Sequence, residues 1–184
     1  MNAPATEATQ APTIDIVVES TLWDAASEAE ATVGRAIKEA AEALRAQAQG
    51  REVAVLLTDD AAIRRLNATW RGLDTPTNVL SFPAAASPGG AAQHLGDIAI
   101  AYETTAREAK EEGKPLVHHL AHIAVHGFLH LLGYDHELEP EAETMEQLER
   151  VILARIGVPD PYLVHENSAR SDRVQDKPVQ LTRV

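Results

Sequence analysis

Three histidines carry the residue types and spacing in this chain that could do chemistry. They lie in His126-Gly127-Phe128-Leu129-His130-Leu131-Leu132-Gly133-Tyr134-Asp135-His136. On a helix, His126 and His130 fall on one face, close enough to ligate a single metal ion. Gly133 lets the chain leave that helix in a conformation other residues resist, so His136 can turn back toward the same point. Three neutral imidazoles around one zinc ion leave a position open for water, and the metal makes hydroxide available from it near neutral pH. Asp135 has two readings, as an acceptor for a ligating imidazole or as a turn former after Gly133. The chain has no cysteine. Thiolate nucleophiles, disulfides and cysteine-containing metal sites are therefore excluded, and any metal must be held by His, Asp or Glu.

The offsets of His126, His130, Gly133 and His136 match the metzincin protease signature H-E-x-x-H-x-x-G-x-x-H. The departure from it falls at Gly127, where those proteases carry the catalytic Glu. Glycine cannot act as a general base. Ligand geometry tolerates this change, whereas peptidase chemistry does not. Other histidines carry less weight. His122 continues the i, i+4 row and could face the same cleft, while His118 turns away and His118 and His119 read as solvated first-turn residues. His94 reads as a loop residue. Nothing around Ser81 resembles a nucleophile elbow, and Gly89-Gly90 lacks the Lys and Ser/Thr of a phosphate loop.

The elements that must position these residues can be read from periodicity. Residues 14–19 are β-branched and read as a strand. Ala29, Val33, Ala36, Ile37, Ala40 and Leu44 recur at helical spacing within a helix expected over 24–48 and closed by Gly50. Val53-Ala54-Val55-Leu56-Leu57 suits a strand buried on both faces. A short helix follows Asp59-Asp60 toward Trp70, and strands are expected at 78–82 and 95–102 with a loop over 84–93. Three further helices are expected at 103–112, at 115–132 behind Pro115, and at 140–155 with Met145, Leu148, Ile152 and Ile156 on the inner stripe. This pattern predicts an α/β (α+β) domain with a small mixed sheet of about four strands and five helices. The first two crossovers predict parallel pairing, and the loop before 95–102 makes that strand the expected antiparallel edge.

Of the 184 residues, 45% are apolar, enough for a packed core, and the length suits one domain. Residues 1–12 and 159–184 read as disordered tails around a domain at 13–158. No apolar run reaches a membrane span and the start lacks a signal peptide, so a cytoplasmic protein is expected. Lys plus Arg total 16 against 28 Asp plus Glu, a net charge of -12. That balance opposes general nucleic-acid binding, which draws on Lys and Arg. Glu137, Glu139, Glu141, Glu143, Glu146 and Glu149 read as a solvated helix face with acids near its start.

The His126–His136 segment closely resembles the signature of the YbeY family of bacterial endoribonucleases. Three further stretches strengthen the resemblance. They are Arg65-Leu66-Asn67 through Trp70-Arg71-Gly72, Asp74 and Pro76-Thr77-Asn78-Val79-Leu80-Ser81-Phe82-Pro83; then Leu95-Gly96-Asp97-Ile98-Ala99-Ile100; and the acidic stretch leading to Met145, Glu149 and Ile152-Leu153. They occur in the family's order over about 60–156. The resemblance implies a zincin-like zinc site on a helix and its following loop, with His126, His130 and His136 as ligands of one zinc ion and catalytic residues. Arg71 matches the family's functional arginine near the metal. Asn78 departs from the commonest form, where many members have Asp, and loses charge and any base function.

The resemblance further implies single-strand-specific RNA cleavage, a part in maturing the 3′ end of small-subunit (16S) ribosomal RNA, and ribosome quality control. Phosphodiester cleavage develops charge that a Lewis acid and a guanidinium both stabilise. Either a metal-bound water or the ribose 2′-hydroxyl could be the nucleophile. The expected partners are single-stranded RNA and the ribosome or a basic ribosomal protein, with neither DNA nor a membrane. The rival readings are a zinc peptidase and a non-catalytic ribosome-assembly factor with a structural metal.

Overall fold

The apolar run 53–57 lies at the centre of the molecule, as strand β2 (Glu52–Thr58). The protein is described by a computed structural model over residues 11–85, 94–136 and 138–163. Strand β1 (Thr13–Val18) pairs parallel with β2 on one side, and β4 (His94–Ala101) pairs parallel with it on the other. Strand β3 (Val79–Pro83) runs antiparallel to β4, giving the order β1-β2-β4-β3. The mixed four-stranded sheet is as expected, but two strands differ from expectation. β4 is interior and parallel, and β3 is the antiparallel edge. The reason is burial: Leu95 and Ile98 through Ala101 are all enclosed. By contrast, β3 is short and ends on Pro83, whose missing N–H an edge tolerates.

One face of the sheet is covered by α1 (Ala29–Ala43), α5 (Leu116–Leu131) and α6 (Glu139–Arg155), packed around Val53, Val55, Leu57, Ile98 and Ile100. The other face is covered by α3 (Asp60–Arg71), which packs Ile63 and Leu66 on Leu80 and Ala99. This second layer is thin, so Ala54 and Leu56 of β2 remain only half-buried instead of fully enclosed. Helix α4 (Tyr102–Glu111) continues directly from β4. Its start is tied to that of α3, because Glu103 Oε2 accepts from Asp60 N at 2.9 Å and Asp60 Oδ1 from Thr104 N at 3.1 Å.

The helix expected over 24–48 is divided. Residues Thr21–Ala25 form a 3₁₀ turn that buries Trp23, whose Nε1 donates to Thr58 O at 2.9 Å. Helix α1 then starts at Ala29 and breaks at Leu44 before the short α2 (Arg45–Ala48). Most of each expected tail and of the 84–93 loop lies outside the described residues. Packing continues past Val158, however, where Lys114 Nζ donates to Pro161 O at 2.8 Å. No described helix is long and apolar enough to cross a membrane.

Helix α5 is enclosed on nearly every side, with Leu120, Ala121, Ala124, Val125, Phe128 and Leu129 wholly buried. Each large apolar side chain buried this way stabilises by about 1.5–3 kcal/mol. The histidine-bearing element is therefore also the one most firmly held by the core.

Candidate metal centre

Helix α5 puts His126 and His130 on its one open face. Gly133 then adopts φ +87°, while Gly133 N donates to His130 O and Tyr134 N to Leu129 O. The helix therefore stops one residue after His130 and the chain reverses. Asp135 takes the second of its two readings: its Oδ1 accepts from His136 N at 2.7 Å and shapes the turn. The three rings converge, with centroids 4.6 Å apart for His126–His130, 5.3 Å for His126–His136 and 5.1 Å for His130–His136. One ring nitrogen from each lies within 4.8 Å of the others, a set that could hold a metal ion.

The protonation pattern fits such an ion. Glu149, wholly buried on α6, lies 2.8 Å through Oε1 from His126 Nδ1 and 3.0 Å through Oε2 from His122 Nε2. Tyr162 also donates to Oε2. Burial works to raise the Glu149 carboxyl, but the bonds from His122, His126 and Tyr162 outweigh it and hold it down at about 2. An ionised carboxylate only accepts, so His126 Nδ1 must be the donor. With that proton on Nδ1, Nε2 is the ring nitrogen left to ligate, and it lies 3.1 Å from His130 Nε2. A carboxylate that fixes the tautomer of a metal-ligating imidazole is the usual support for such a ligand. Burial, followed by the neighbouring His126 and His136, lowers the pKa of His130, which keeps that ring neutral and able to ligate.

Glu149 corrects the reading of the acidic stretch as a solvated face. Its neighbours on the stripe, Met145, Ile152 and Leu153, are buried with it. That spacing was the available signal, and the surrounding glutamates hid it. Tyr162 lies in a stretch read as tail, and no local pattern marks it. Its ring is held 4.7 Å below the Arg150 guanidinium, which also pairs with Glu146 and Asp160. His122 does face the cleft, engaged with Glu149. His119 is buried instead of solvated, with Nε2 2.9 Å from Glu108 Oε2. Asn78 Nδ2 donates to the same Glu108 oxygen at 2.8 Å. His94 opens β4 and lies 3.2 Å from Asp97. Arg71 ends α3, exposed, with no hydrogen bond or ion pair among the described residues. It lines a groove beside Ser81, whose Oγ donates to Gly127 O at 2.9 Å.

Gly127 shows why the helix carries no acid beside its first ligand. A Cβ there would stand 3.1 Å from Ser81 Oγ and 3.2 Å from methyl groups of Ile98 and Val79. Helix α5 rests on β3 and β4 at this point. Gly127→Ala should destabilise by about 1–3 kcal/mol through overpacking, less the roughly 1 kcal/mol gained in helix propensity. Urea unfolding checks the net loss, and Gly127→Glu should lower the midpoint further.

The site is a convergent histidine cluster on the central helix and following turn of an α/β domain, the kind of centre that could hold a metal ion. The chain belongs to the Endoribonuclease YbeY family, whose profile matches residues 17–157. It is 60% identical over 167 residues to the Endoribonuclease YbeY of Rhodopseudomonas palustris strain BisA53, covering 89% of this chain and 96% of the relative. With that of strain CGA009 it shares 62% over 154 residues, covering 82% and 81%. The solution structure of TM1509 from Thermotoga maritima aligns with a TM-score of 0.48 at 22% identity, covering 89% of this chain and all of the other.

Proposed function

We propose that the protein is a zinc-dependent endoribonuclease of the cytoplasm that cuts single-stranded RNA, matures the 3′ end of small-subunit (16S) ribosomal RNA and serves ribosome quality control. One observation carries the reading. In a chain of the Endoribonuclease YbeY family, the metal-ligand cluster stands on a helix that is pressed against the sheet where a peptidase would need its base. His126, His130 and His136 would hold one zinc ion. When bound, that ion supplies Lewis-acid stabilisation of the charge growing on a phosphate during cleavage.

The chain's own groups supply the rest. Glu149 holds His126 in the ligating tautomer. Arg71 presents an exposed planar fork, without a hydrogen bond or ion pair among the described residues, that matches phosphate oxygens. Asn78 is anchored on Glu108 and its amide is not basic, so it orients and does not act as a base. The net charge of -12 gives little general attraction for a polyanion. The ribosome or a basic ribosomal protein would therefore present the RNA.

The test is cleavage of a labelled single-stranded RNA by zinc-loaded protein, with His130→Ala purified identically. Cleavage should disappear in the variant and on chelation. Equal cleavage by both proteins would reveal a contaminant and leave a non-catalytic ribosome-assembly factor as the reading.

A further inference from the structure

We propose that the groove between the end of α3 and the sheet is a stacking subsite for a base of single-stranded RNA, with Trp70 as its platform. This rests on RNA being the substrate. The chain has two tryptophans, and they are placed in opposite ways. Trp23 is 2% exposed and hydrogen-bonded, whereas Trp70 is 70% exposed and touches the edge of Phe82 with centroids 6.0 Å apart. Between Trp70, Phe82 and the half-buried Leu56 lies a cavity of about 780 Å³. An aromatic face left open above an apolar floor is what a nucleobase stacks on, whatever its sequence.

Charge and position select RNA as the occupant. Arg71 is the one basic residue in the lining, next in the chain to Trp70 and free to meet the phosphate that follows a stacked base. Its single acidic counterpart there is Asp97, which His94 engages. The neighbouring α3 arginine is not available, because Arg64 is bound in two-point fashion to Asp74 at 2.7 Å. The other large cavity beside α5, of about 700 Å³, borders the histidine cluster at His126, and in it Glu108, Glu111 and Glu112 outnumber Lys114, which pairs with Glu112. The groove lies across the edge strand β3 from the histidine cluster: Phe82 faces the groove, while the neighbouring Ser81 Oγ bonds on the opposite face to the carbonyl of Gly127, adjacent to His126. A base on Trp70 would thus hold the strand across the β3 edge from the histidines. It would also explain how an acidic protein holds RNA, since stacking needs few phosphate contacts and binding should depend only weakly on salt.

The buried Trp23 makes intrinsic fluorescence a report on Trp70. A short oligoadenylate should quench it in a stopped-flow experiment read before turnover, and an abasic strand of equal length should not. Trp23→Phe should keep the quench. Affinity measured by anisotropy of labelled RNA should fall roughly 5- to 100-fold in Trp70→Ala and be largely kept in Trp70→Tyr. Unchanged affinity in Trp70→Ala, or equal quenching by the abasic strand, would overturn the subsite. If cleavage persisted without any fluorescence response, the subsite would fail and the endonuclease reading would stand. Quenching by a protein that never cleaves would keep the subsite and remove that reading.

Discussion

Glu149→Ala should cost about 3 kcal/mol of stability and lower zinc affinity roughly 10- to 100-fold, although Glu149 lies outside the cluster of three histidines. The carboxylate is wholly buried and accepts from His122, His126 and Tyr162. Removing it leaves three donors without an acceptor, and each such group costs about 1–3 kcal/mol where water cannot reach it. His122 and His126 retain some exposure, which keeps the total toward the lower end. Glu149→Gln should be milder, because its amide oxygen still accepts from one histidine while its NH₂ opposes the other donor. The pH dependence carries a sign. The folded-state carboxyl is depressed to about 2, so the stability it supplies is complete above the ordinary Glu range and is lost as pH falls toward 2. The difference in stability between wild type and Glu149→Gln should therefore shrink on acidification. Urea melts across acid pH, with chelator competition for zinc at neutral pH, check both parts.

Arg71→Ala should behave in the opposite way, with the fold untouched and cleavage reduced by about 10²–10³. Arg71 is exposed and makes no hydrogen bond or ion pair among the described residues. Its loss should move stability by no more than about 0.5 kcal/mol. Arg71→Lys keeps the charge but replaces a planar fork with a point charge, so its rate should fall between the two. Melting temperatures beside kcat/KM on labelled RNA separate this result from a folding defect. Equal rates for the three proteins would remove Arg71 from the chemistry.

The clustering of three histidines was legible because its determinants are local: two histidines one helical turn apart, a glycine that ends the helix, and a third histidine just beyond. The helices and strands were legible for the same reason, apart from the 3₁₀ turn ahead of Ala29 and the break at Leu44. Strand order was not. Whether Ile98–Ala101 or Val79–Phe82 takes the inner place depends on which strand can have both faces covered, and each segment read alone is simply apolar. Glu149 was visible in principle on the Met145–Ile152 stripe but stood among six glutamates. Tyr162 was not visible, since its contact with Glu149 joins a residue beyond two prolines to the middle of a helix. The choice of glycine at 127 read as an absence of chemistry, and the structure adds a steric cause.

The enclosure of α5 also shapes the cage as a chelator. His126 and His130 ride on a helix whose other faces are packed, while His136 sits exposed on the turn beyond Gly133. Two of the three rings are preorganised by the helix, and the third rides on an exposed turn. Metal exchange should therefore be governed by one short hinge, and the two fixed arms retain their geometry, with no refolding, while the third is away.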